Sequence, residues 1–118
     1  MAWKYDQSSG KLSYNESYVG MGYSGAGACK NDPTCERKVG AGPIPRGAWR
    51  IGGYDDSKGP LTIDLEPVGH NAHGRTLFRI HGDSIRNPGT ASEGCIIMPR
   101  SIRQKIAGSA DKTLTVVE

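Results

Sequence analysis

His81 and Cys95, set in FRIHGDSIRNPGTASEGCIIMP, are the pair in this 118-residue chain whose types and spacing suit nucleophilic catalysis. A free thiol titrates near ~8.5 and is mostly protonated at neutral pH, so a cysteine nucleophile needs a nearby base or a positive potential to supply thiolate. His81, at the end of an apolar alternating segment, is the candidate base. A tight turn through Ser92, Glu93, Gly94 and Cys95 would aim successive backbone N–H groups at one point, which makes Gly94 and Cys95 candidate oxyanion donors. The inert alternative is a small core cysteine followed by Ile96, Ile97 and Met98, since Cys is among the most buried residue types. What favours chemistry is that both residues flank a loop able to fold back and bring them together.

The chain has three cysteines, and Cys29 and Cys35 have the C-x5-C spacing of a short disulfide that an oxidising compartment would close. In a reducing compartment they would be two unpaired thiols. An odd total leaves Cys95 free, as a nucleophile requires. His70 and His73 in VGHNAHGR add two imidazoles, but no carboxylate or thiol accompanies them at ligand spacing, so no metal and no cofactor is expected. They belong instead to a loop expected near the substrate groove. Trp3, Trp49 and the five tyrosines read as core or cross-strand residues before a sugar-binding face.

These residues must be positioned by a turn-rich β framework, because 17 glycines and 7 prolines punctuate strands and break helices. Residues 3–14 read as a hairpin, WKYD and KLSY around Ser8, Ser9 and Gly10. A strand is expected over 18–23, then an irregular exposed loop to 42. A rigid GPIPRG turn leads into a strand near 48–51, LTIDLEP and TLFRIHG supply two further strands for a sheet of six or so, and the tail KTLTVVE returns as a last strand. One helix is expected over 99–108, with Pro99 in its first turn, Ile102 and Ile106 on one face and Gly108 at its end. The length fits one domain, 1–118, without linker or repeat.

Composition removes several functions. The basic residues behind the net charge of +3 are scattered, so nucleic acid is not an expected partner. No apolar run approaches the ~20 residues that cross a bilayer, so no membrane insertion is expected. The first ten residues hold no apolar stretch of secretory type, and any export is expected to take another route.

His81-Gly82, a variable loop and Ser92-Glu93-Gly94-Cys95-Ile96 resemble the active-site signature of the YkuD-type L,D-transpeptidases, H-G, a spacer and S-H-G-C. Pro45-Arg46-Gly47-Ala48-Trp49 is similar to that family's upstream turn. Trp3, Tyr5, Tyr23-Ser24-Gly25 and residues 42–47 extend the resemblance to the small type VI secretion effectors of the same kind. Two positions depart from the pattern: Glu93 stands for the usual His, and Ile97 stands where many members carry Arg or Asn.

The resemblance implies a mostly-β, YkuD-like β-sandwich or barrel-like domain with one short helix after the cysteine. It implies attack by Cys95 on the third residue of a peptidoglycan stem peptide, with His81 as base and Gly94 and Cys95 as oxyanion donors. Gly82, Asp83 and Ser92 all stand open as the group that orients His81. Tyr23, Arg79, Arg86 and Arg100 are the candidates for substrate contact, the arginines for a carboxylate. It also implies a monomer made in the cytoplasm without a signal peptide and delivered to a rival's periplasm, with a secretion-machine component and a cognate immunity protein as partners. A sortase-like enzyme lacks its T-L-x-T-C signature here, and papain-like or NlpC/P60 peptidases place Cys before His. The rival from another class is a catalytically inactive peptidoglycan-binding module with the same fold.

Overall fold

The alternation in residues 3–14 closes the expected hairpin in the computed structural model, which describes residues 2–118. Strands β1 (Trp3–Asp6) and β2 (Lys11–Tyr14) pair antiparallel, with Trp3 opposite Tyr14 and Tyr5 opposite Leu12. Trp3, Tyr5 and Leu12 are buried, so the pattern reports one core face. The strand expected over 18–23 is two strands, β3 (Ser17–Met21) and β4 (Tyr23–Ser24). The break at Gly22 has a topological cause: β3 pairs with β2 at one edge of the sheet, and β4 pairs across at the other.

The remaining strands are β5 (Gly47–Asp55), β6 (Thr62–Val68), β7 (Arg79–His81), β8 (Ile96–Ile97) and β9 (Thr113–Val117). They form one sheet in the order β3-β2-β1-β9-β5-β6-β7-β8-β4. Because its two edge strands, β3 and β4, are separated by a single residue, the sheet curls into a nearly closed, barrel-like form, and the fold is mostly β. Nine strands replace the seven segments read from sequence, because the strand expected over 18–23 is split and β8, two residues long, shows no alternation to read.

Trp49, Ile51, Ile63, Ile80, Ile96 and Leu114 fill the interior at 2% exposure or less, each stabilising the fold by ~1.5–3 kcal/mol. The aromatics divide accordingly. Trp3, Tyr5 and Trp49 are core, whereas Tyr18 and Tyr54 lie exposed. Helix α1 (Arg100–Gly108) follows Pro99 and buries Ile102 and Ile106 as their spacing predicts. It also buries Arg103, whose Nε donates to the Met98 carbonyl and whose Nη1 donates to those of Pro60 and Leu61. The helix is thereby tied to the β5–β6 turn.

The loop from 25 to 46 is more structured than expected. A Cys29–Cys35 disulfide joins two short 3-10 turns, Gly27–Cys29 and Pro33–Cys35, and Cys29 is buried. Glu36 follows, 8% exposed, with Oε1 accepting from Gln7, Arg46 N–H and Arg46 Nε, and Oε2 paired with His73. Burial alone would raise its pKa, but the bonds from Gln7, Arg46 and His73 outweigh that and hold it down at about 2. In the chain-entropy view, opening so short a loop removes ~2 kcal/mol. Reduction, or joint Cys29→Ser and Cys35→Ser replacement, is expected to lower the thermal midpoint by roughly 6–12 °C in differential scanning fluorimetry.

Candidate active site

Cys95 closes a turn clamped by buried side chains. Ser92, 1% exposed, uses its whole hydroxyl: Oγ donates to the Cys95 carbonyl at 2.6 Å and accepts from Gly25 N–H and Gly94 N–H at 2.9 and 3.1 Å. Ser24 Oγ donates to the Gly94 carbonyl from the other side and accepts from Ile44 N–H. Gly94 sits at φ +144, and a Cβ there would lie 2.5 Å from Arg75 Nη2 and 3.1 Å from Phe78, so only glycine fits. Arg75, 7% exposed, gives Nη1 to the carbonyls of Glu36 and Pro43 and Nη2 to those of Gly42 and Glu93. One guanidinium thus joins the disulfide loop to the cysteine turn.

His81 ends β7, and its Nδ1 lies 2.9 Å from the Gly82 carbonyl. A carbonyl only accepts, so Nδ1 carries the proton and a neutral ring presents Nε2 as the base. A Cβ on Gly82 would lie 2.8 Å from Arg103 Nη2, so the buried arginine of α1 also shapes this end of β7. Strands β7 and β8 run parallel with Ile80 opposite Ile96 and His81 opposite Ile97. One step back places Cys95 beside Arg79, and the two-residue period puts Arg79, His81 and Cys95 on one face.

That face opens into a cleft of about 420 Å³ lined by Cys95, His81, Arg75, Arg79, Lys58 and Glu93, among others. Cys95 is a free, half-exposed thiol whose Sγ lies 3.7 Å from the Leu77 carbonyl. Burial pushes the thiol above its ordinary value of 9.0, against the Arg79 backbone N–H and the charges of Arg79 and Lys58. Burial also pushes His81 below 6.5, partly offset by its bond to Gly82 and reinforced by the charge of Lys58. Both shifts favour the uncharged forms of the two groups.

Other residues singled out from sequence are placed differently. Ser92 is spent on its own turn and does not touch the imidazole; the Gly82 carbonyl takes that role. Asp83 accepts from Tyr23, Ser84 N–H and Gly89 N–H, away from His81. Gly94 lines the cleft, but its N–H is given to Ser92. Tyr23 lies outside the cleft lining: its hydroxyl, pushed up to about 12 by burial and by Asp83, donates to Asp83 and accepts from Ala91 N–H, pinning loop 83–91. Arg79 lines the cleft, whereas Arg86 and Arg100 are exposed and do not. His70 and His73 are not at the groove either, since His70 bonds the Ala48 carbonyl and His73 bonds Glu36. Arg75 and Lys58 are the cleft residues that sequence reasoning missed. The partners of Arg75 are backbone carbonyls remote in the chain, which leave no residue-type signal.

Compared with known families, residues 19–117 match the family model described as Tlde1 domain. The match starts inside β3, yet β1 and β2 belong to the same sheet. No curated protein matches the chain.

Proposed function

Because the chain belongs to the Tlde1 domain family, a family of type VI secretion L,D-transpeptidase effectors, we propose that Cys95 and His81 process peptidoglycan stem tetrapeptides through a thioester. The observation that carries this reading is that the thiol and the imidazole line one cleft, His81 at the end of β7 and Cys95 immediately before the strand β8 that pairs with it.

The Cys95 sulfur forms a bond to the carbonyl carbon of the third stem residue while the thiol proton passes to His81 Nε2. The Gly82 carbonyl holds the imidazolium that results. Collapse of the tetrahedral species breaks the C–N bond, and His81 returns its proton to the departing D-alanine amine. We assign the Cys95 N–H as oxyanion donor, because Gly94 N–H is engaged by Ser92. Water then hydrolyses the thioester, giving L,D-carboxypeptidase cleavage, or a D-amino acid amine replaces the lost residue. Both outcomes deplete the tetrapeptide donors a rival needs for wall synthesis. This fits an antibacterial toxin delivered by the secretion machine to the target periplasm, where the disulfide is stable and a cognate immunity protein protects kin.

Muropeptides incubated with the protein are expected to lose one D-alanine by mass spectrometry, to incorporate an added D-amino acid, and to stay intact with Cys95→Ala. Binding without product from the wild-type protein would return the reading to an inactive wall-binding module.

The shift of both groups toward their uncharged forms sets the pH dependence. Activity needs unprotonated His81, so kcat/KM should rise through an apparent pKa below 6.5 and stay level above neutrality. Alkylation of Cys95 by iodoacetamide should accelerate only above about pH 9. A preformed thiolate–imidazolium pair would show the opposite, fast alkylation at pH 6. Since the folded pKa of His81 is depressed, its contribution to stability is present above the unfolded value of ~6.5 and declines as pH falls toward the folded one.

A further inference from the structure

Three cations line the cleft among the described residues: Arg75, Arg79 and Lys58. Arg75 is spent on four carbonyls. Arg79 is paired through Nε with Asp64 Oδ1 at 3.4 Å. The Lys58 ammonium has neither an ion pair nor a hydrogen-bond acceptor among the described residues, and its side chain is exposed at the cleft.

The backbone beneath it is built rigidly. Ser57 N–H donates to Asp55, Lys58 N–H to Thr62 Oγ1, and Thr62 Oγ1 to the Gly59 carbonyl. Arg103 then fastens Pro60 and Leu61 to α1, and Leu61 holds the left-handed φ of 61° that turns the chain. That turn therefore presents one unneutralised ammonium to the cleft that holds the thiol and the imidazole.

The leaving group of a tetrapeptide is an amino acid whose carboxylate carbon lies about 2.5 Å from the scissile nitrogen. Its receptor must border the reacting pair, and Lys58 lines the same cleft as His81 and Cys95. We propose that Lys58 binds the free α-carboxylate of the amino acid on the leaving side, so that the cleft selects peptides ending one residue beyond the scissile bond. The inference rests on the reading of Cys95 and His81 as the reacting pair. It supplies the carboxylate receptor that Arg86 and Arg100 do not.

Binding of a stem tetrapeptide ending in D-alanine, and of the same peptide as its C-terminal carboxamide, to the Cys95→Ala protein by calorimetry tests this without turnover. The acid should bind roughly 10- to 100-fold more tightly than the amide, as expected for a hydrogen bond between charged groups. Adding Lys58→Met should bring the two peptides to equal affinity by weakening the acid, whereas Lys58→Arg should keep the preference. Equal affinities before that substitution, a preference that survives it, or an equal loss for both peptides would each overturn the proposal. Failure of the catalytic reading is seen separately, as absence of D-alanine release by the wild-type protein.

Discussion

Cys95→Ala is expected to lower D-alanine release from stem tetrapeptides by at least ~10⁴-fold, as loss of the nucleophile does in other covalent enzymes. No second thiol can substitute, because the other two cysteines are joined in the disulfide. Cys95→Ser should not rescue the reaction: a hydroxyl is a far weaker acid than a thiol, and burial has already weakened His81 as a base by lowering its pKa. The fold should be nearly indifferent to either change. Ser92 holds the backbone of Cys95 through its carbonyl, and Ser24 and Arg75 hold the carbonyls of Gly94 and Glu93, while the thiol itself makes only weak polar contacts, with the Leu77 carbonyl at 3.7 Å and with the Arg79 N–H. Circular dichroism and the thermal midpoint should therefore stay at wild-type values while turnover, followed by mass spectrometry, disappears. Turnover retained by Cys95→Ala would move the chemistry elsewhere.

The parts of the molecule that repeat were readable. Trp3, Tyr5 and Leu12 alternate into the core, and Ile102 and Ile106 share a helix face, because burial of one side imposes a period of 2 or 3.6 residues. Strand β8 was not readable, since Ile96 and Ile97 are both buried and two residues carry no period. The cysteine turn was visible as Ser-x-Gly-Cys, but the job of its serine was not. Ser92 has the chemistry to steady an imidazole, and only the fold reveals that its hydroxyl is consumed by Gly25, Gly94 and Cys95. Tyr23 is a similar case, a residue of the right type beside the site whose hydroxyl fastens a loop. Side chains that bind backbone carbonyls stay hidden in the sequence, because every residue offers a carbonyl.

Arg75 is the extreme example, and its replacement should produce a large loss of stability. Arg75→Met keeps an unbranched side chain but removes the guanidinium from the Phe78 ring face and strands the carbonyls of Glu36, Gly42, Pro43 and Glu93, all met by that one group. Removing the shared donor of so many buried acceptors costs about 3–5 kcal/mol, against a total of about 5–15 kcal/mol for a domain. Urea titration should show that loss as a lower midpoint at unchanged slope. Arg75→Lys should recover part of it, since an ammonium keeps the charge but cannot span four acceptors in a plane. A purely structural role would end there. Arg75 also lines the cleft with Cys95, so its charge favours the thiolate over the thiol. In Arg75→Met, at temperatures where the protein is still folded, alkylation of Cys95 should move to higher pH, and Arg75→Lys should restore it more fully than it restores stability. The two readouts separate because charge at the thiol needs only a cation nearby, whereas the four carbonyls need the planar fork.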